Sequence, residues 1–239
     1  MPPPCCTDPS LPSPVHEPVP VVTQYATADL IGRIAYEGYD AGNDPRWQTS
    51  GAPSRRVYAR WCGHMCGIAC LRMALLHRDG HAPDLFTLLQ GARHFGAYIR
   101  EAGSTEIRGM IYAPFAQYVQ ATHHLPATVH RTLEVEELVG LLDGGRMVMA
   151  SVSKEIRRPE REPEHRGGHL VLAVGHRDGQ IVFRNPSGHT PQSRSAALPV
   201  ERFGVFFGGR GVSLQPSRRA RPRPLPPGVS QPVASRPTI

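Results

Sequence analysis

The spacing of hydrophobic positions changes near residue 145, from a helical rhythm to a strand rhythm. From Cys66 to His77, the residues Ala69, Cys70, Met73, Ala74 and Leu76 or His77 fall on one stripe, the i, i+3, i+4 spacing of an amphipathic helix. Asp84 to Gln90 follows Pro83 and carries Leu85, Leu88 and Leu89 at similar spacing. Tyr112 to Ala121 has Pro114 in its first turn, where a helix tolerates a missing N–H. Leu133 to Asp143 is amphipathic and stops at Gly144-Gly145, a helix-ending signal. Beyond it, Arg146 to Ser153 is a short apolar run with strand composition. Gly168 to His176 and Gln180 to Arg184 flank Arg177-Asp178-Gly179, which predicts a hairpin. Val200 to Phe207, interrupted at Gly204, predicts one or two further strands. Helices followed by an antiparallel sheet make an α+β domain.

This patterned body spans residues 23–213. Residues 1–22 are proline-rich and residues 214–239 are rich in Pro and Arg, so both ends are expected to be disordered. The net charge of +7 reflects this division. Residues 215–239 hold five arginines and no acid, while residues 1–20 hold Asp8 and Glu17 and no base. The body therefore carries about +4, too little and too dispersed for a folded nucleic-acid surface. Only the basic tail offers nucleic acid a non-specific contact. Lys154 is the single lysine beside 26 arginines, a bias that a GC-rich bacterial genome would explain. No apolar run approaches the ~18–20 residues of a membrane span, and the N-terminus lacks the layout of a signal peptide. A cytoplasmic setting with reduced thiols is the expectation for the five cysteines Cys5, Cys6, Cys62, Cys66 and Cys70.

Three segments carry the chemistry. Cys66-Gly67 opens the first helix, where unpaired N–H groups and the positive dipole end favour a thiolate and lie where an oxyanion could form. Gly67 would let a substrate backbone approach. His169 follows Gly167-Gly168 at the start of the hairpin's first strand. Strict alternation puts it on one face with Val171, Ala173 and Gly175, small residues that leave room for a helix. Asn185 ends the second strand, within reach of that imidazole, and its Asn-Pro-Ser-Gly is equally an ordinary turn. Taken singly, Cys66 also fits a buried core thiol and His169 a structural histidine. Together they are the parts of a cysteine nucleophile, a base and an orienting carboxamide.

The order Cys66-Gly-Ile-Ala-Cys-Leu-Arg-Met73, then Gly167-Gly-His-Leu-Val171, then Asn185-Pro-Ser-Gly188 resembles the C39-like branch of the papain-like cysteine peptidases over roughly residues 57–207. The resemblance implies a papain-like domain that cleaves a peptide or amide bond through an acyl-enzyme, without a cofactor. Cys66 would be the nucleophile, His169 the base and Asn185 the third member. That family usually has a glutamine six residues before the cysteine as oxyanion donor, and this chain has Arg60 there. Arg60, His64, Gly67 and Gly168 are then the candidates around the oxyanion and substrate. Two alternatives share the scaffold: an acyl or peptidyl transferase in natural-product or peptide maturation, and a non-catalytic module that binds a peptide or protein partner in the cleft.

Cys62, His64, Cys66 and Cys70 also invite a metal, with His123, His124, His165 or His169 as the second ligand pair. Cys66 and Cys70 on one apolar helix read as core instead, so no metal is expected. Arg157 to Arg166 is a mixed-charge loop just before His169, placed to cover the site, and its Glu160, Glu162 and Glu164 would suit a basic or amine-bearing substrate.

Overall fold

In the computed structural model, described over residue 16 and residues 18–100, 106–107 and 109–216, six strands form one antiparallel sheet. They are β1 (Ala127–His130), β2 (Met147–Ser153), β3 (Gly168–Arg177), β4 (Gln180–Arg184), β5 (Ser195–Pro199) and β6 (Phe207–Leu214). Their order is β1-β6-β2-β3-β4-β5, every neighbouring pair antiparallel. The helices are α1 (Ile31–Tyr36), α2 (Arg55–Trp61), α3 (Cys66–Asp79), α4 (Leu85–His94), α5 (Tyr112–His123), α6 (Val135–Asp143), α7 (Pro191–Arg194) and α8 (Val200–Phe206). The α+β expectation holds, with the helices concentrated in the first half.

Strand alternation divides the core in two. Met147 and Met149 of β2 and Leu170, Leu172 and Val174 of β3 point to one face, against α3, α4 and α5. Val148, Ala150 and Val152, with Val171 and Ala173, point to the other, against α6 and α8. The helix ends follow the chemistry of their caps. Asp84 accepts from Thr87 N–H to start α4, Glu134 and Glu137 form a capping box on α6, and Gly80 ends α3 in the left-handed region at φ 78°. The hairpin between β3 and β4 turns on Asp178 (φ 53°) and Gly179 (φ 71°), the pair of positive angles that a two-residue turn requires.

The segment expected as a strand over Val200 to Phe207 is instead helix α8 up to Phe206, with β6 beginning at Phe207. Phe203 and Phe206, three residues apart, bury on one face of it, so Gly204 lies inside a helix rather than at a strand break. The described part of the expected arm over 1–22 belongs to the folded body instead. Val19 and Val22 are buried, His16 N–H donates to Val174 O, and Arg184 Nε donates to Val19 O. Residues 1–15 and 17, with Cys5 and Cys6, and the tail from 217 lie outside the described residues. Among the described residues no helix is long and apolar enough to cross a membrane.

Candidate active site

α2 ends in a short 3-10 turn, Cys62–His64, and Met65 then leads into α3 at Cys66. No side chain caps this helix start, so the N–H groups of its first turn are left for another acceptor. Cys66 is partly exposed, whereas Cys62 and Cys70 are buried and all three thiols are free. Cys70 Sγ lies 3.7 Å from Leu170 O and anchors α3 on β3. Gly67 meets the protein rather than an open cleft: a Cβ there would come within 2.5 Å of Met110 Sδ and 3.1 Å of both Leu170 Cδ1 and Tyr98 Oη. The expectation that Gly67 admits a substrate backbone gives way to a tight contact between α3, β3 and their surroundings.

His169 stands at the other side of the same opening. Gly167 (φ 88°) and Gly168 (φ 89°) carry the chain into β3, and Gly168 then pairs with Ser153 and His169 with Val152. The helix does not pack on the small-residue face that alternation assigned to the histidine. It packs on Leu170, Leu172 and Val174, and Cys66 and His169 share only the wall of one cavity. His169 Nε2 donates to Asn185 Oδ1 at 2.9 Å and lies 2.9 Å from Ser187 Oγ. Asn185 Oδ1 also accepts from Ser187 N–H at 3.0 Å, which identifies it as the acceptor end of the carboxamide. The proton therefore sits on Nε2 and leaves Nδ1 with a lone pair. Arg157 Nε donates to Ser187 Oγ at 2.9 Å, so a fourth residue is tied to the imidazole through the serine.

Gln24, Tyr25, His64, Cys66, Ser151, Lys154, Arg157, Gly168, His169 and Arg210 share the wall of one cavity of about 260 Å³ with Gly63, Gly109, Met110, Tyr112 and Leu170. The structure thus brings Cys66, His169, His64 and Gly168 together, with Asn185 buried behind the histidine. Arg60, in the last turn of α2, is not on this wall. Gln24 is the residue that sequence inspection missed. Its backbone N–H donates to Pro186 O, its Nε2 donates to Cys62 O at 2.9 Å, and its carboxamide is buried against the cavity. It lies 42 positions before Cys66 in an unpatterned stretch, so no spacing rule could have found it. Ser187 was legible only as part of a turn.

No family model matches the sequence, and no curated protein matches it. Solved structures align with this chain, among them three that are described as peptidases or peptidase domains. A protein described as a C39-like peptidase from Bacillus anthracis aligns with 14% identity over 63% of this chain and 88% of its own, with a TM-score of 0.45. The peptidase domain of Streptococcus ComA, a bifunctional ABC transporter of a quorum-sensing pathway, aligns with 14% identity over 64% and 93%, at 0.43. A double-glycine-motif protease from an AMS/PCAT transporter, solved with its leader peptide, aligns with 17% identity over 64% and 86%, at 0.42.

Electrostatics set the resting state of the site. Burial pushes the Cys66 thiol above its ordinary value, while the N–H groups of Leu170 and Gly67 and the charge of Lys154 pull it back toward the thiolate. Burial lowers His169 to about 3, helped by Arg157 and Lys154 and opposed by the Asn185 hydrogen bond. Tyr25, also on the wall, is pushed up to about 12, chiefly by burial. The resting pair is therefore a neutral thiol and a neutral imidazole. Among the described residues, the hydrogen bonds of the imidazole go to Asn185 and Ser187, not to the thiol. The glutamates of the 157–166 loop stay out of this cavity. Glu162 pairs with Arg202, and Glu160 lines a separate surface pocket with Arg158, Arg161 and His189. A preference for a basic substrate finds no carboxylate here. Among the described residues no three His, Cys, Asp or Glu side chains are grouped as they would be to hold a metal ion, and His123 and His130 reach the hydroxyls of Tyr118 and Ser213.

Proposed function

We propose that this protein is a thiol-dependent acyl-transfer enzyme that hydrolyses a peptide or amide bond, with Cys66 as nucleophile and His169 as base. One observation supports this above the rest: a partly exposed cysteine at an uncapped helix start shares a cavity with a histidine whose tautomer is fixed from behind by Asn185 and Ser187. Two other cysteines are buried in the same region and lack this setting.

The chemistry follows from the neutral resting pair. As Cys66 Sγ attacks a substrate carbonyl, Nδ1 of His169 takes the thiol proton, and the carbonyl π electrons move onto oxygen. Asn185 Oδ1 stabilises the imidazolium through Nε2–H. The oxyanion meets N–H groups at the start of α3, and the second Nε2–H of Gln24, whose first donates to Cys62 O, is a side-chain donor on the wall. Collapse expels the amine, which takes the proton from Nδ1. Water, activated by the same nitrogen, then releases the acid from the thioester. An amine in place of water would make the same intermediate a transferase.

A non-catalytic peptide-binding module is the second reading, favoured by the missing thiol–imidazole hydrogen bond and by the raised thiol. Incubation with p-nitrophenyl acetate separates the two. Acetylation confined to Cys66, with steady release of nitrophenolate that Cys66→Ser abolishes, is the expected result. Absence of acylation at Cys66 while a peptide ligand still binds would replace the enzyme with the module.

A further inference from the structure

The cavity that holds Cys66 is lined by three cationic side chains, Lys154, Arg157 and Arg210, together with His64. No Asp or Glu lines it among the described residues. None of the three cations is in an ion pair among the described residues, where the arginines elsewhere that do pair use Glu37, Asp79, Asp29 and Glu162. Glu155 feels the charge of Arg157, but it is hydrogen-bonded by Ser153 and is not on the wall. Arg157 is fixed through its Nε on Ser187, which leaves its terminal nitrogens for another acceptor. Arg210 lies beside Gly167, with Nη2 about 3.2 Å from where a Cβ on Gly167 would stand, so it borders the backbone that delivers His169. Arginine is abundant in this chain, and one arginine at a cavity would mean little. Here the only lysine of the sequence joins two arginines around one thiol, with no counter-charge on the wall.

Like charges gathered around a small cavity repel one another, and an anion seated among them relieves that repulsion while gaining charge-assisted hydrogen bonds. We propose that the substrate of this site is an acyl compound bearing a negative charge beside the reacting carbonyl, a carboxylate or a phosphoryl group, recognised by Lys154, Arg157 and Arg210. This rests on the thiol-enzyme reading and names its substrate class. It also reverses the preference for basic substrates that the acidic residues of the neighbouring loop suggest in sequence.

The test uses paired reagents of the same reach and opposite character. Cys66 in the full-length protein is alkylated by iodoacetate, an anion, and by iodoacetamide, its neutral analogue, and both rates are read by peptide mass spectrometry. The iodoacetate-to-iodoacetamide ratio at Cys66 is expected to exceed that of the same cysteine in urea by about tenfold, and to fall toward it in Lys154→Gln/Arg210→Gln, both exposed positions. Protection by succinate points to a carboxylate and protection by inorganic phosphate to a phosphoryl group. A ratio equal to that of the unfolded chain, or unmoved by the double variant, overturns the proposal. A parallel arm compares kcat/KM for p-nitrophenyl hydrogen succinate and p-nitrophenyl butyrate. Turnover of both at equal rates overturns the anion preference and leaves the thiol enzyme standing. A high alkylation ratio without turnover of either ester leaves an anion-binding cavity and removes the enzyme.

Discussion

His169 shows how much a single residue's surroundings decide. The base role proposed for it depends on Nδ1 staying unprotonated, and burial with Arg157 and Lys154 nearby lowers its pKa to about 3. The sign of the linked stability follows. An unfolded histidine titrates near ~6.5, so as pH falls below that value the unfolded chain takes up the proton first. The stability tied to neutral His169 is complete above that pH and is lost progressively from there down to about 3. Urea unfolding at pH 7, 5 and 4 is expected to show a steeper acid loss in wild type than in His169→Gln; parallel curves would mean that the imidazole is not held neutral. Gln24→Ala removes the carboxamide donor proposed for the oxyanion and is expected to lower kcat by roughly 10²–10³-fold with the fold intact, checked by steady-state kinetics beside circular dichroism. Of the residues gathered at the candidate site, Cys66, His169 and Asn185 were legible because their types and order are distinctive. Gln24, Lys154 and Arg210 were not, since only long-range packing brings them to the thiol.

At the scale of elements, helix stripes and the Asp178-Gly179 hairpin were readable because local periodicity and turn chemistry decide them. α8 was misread because seven residues with two phenylalanines and a glycine fit either period, and the choice is made by the surface they cover. The turn Asn185–Gly188 depends on such non-local packing too. Asn185 N–H donates to Arg194 O, and a Cβ on Gly188 would come within 2.5 Å of Ser193 and Arg194 backbone. Gly188→Ala must push α7 away from the turn that carries Asn185 and Ser187. A loss of about 1–3 kcal/mol in chemical denaturation is expected, with a larger proportional loss of activity than of folded protein at 25 °C. An unchanged midpoint would show that the turn and α7 move freely apart.

The whole molecule closes its core with a segment that the sequence presents as an idle arm. Val19 and Val22 are buried in the helical-side core, His16 bonds Val174 and Gly145, and His77 lies 3.3 Å from Pro18 O. Proline-rich composition hid this strap, since its contacts are to strands and helices far along the chain. Val19→Ser is expected to cost about 1–2 kcal/mol, read as a lowered Tm, whereas a free arm would leave Tm unchanged. The strap continues into Gln24 and Tyr25, so the same segment that covers the core delivers a wall of the cavity. The central claim is that this architecture makes Cys66 a nucleophile served by His169. Its most direct test is the rate at which p-nitrophenyl acetate acylates Cys66 at pH 7 in wild type and His169→Ala, read by intact and peptide mass. Acylation at Cys66 alone that slows by on the order of 10²-fold or more in the variant is the expected result. Equal rates in both proteins, or acyl groups on other residues in preference to Cys66, would contradict it.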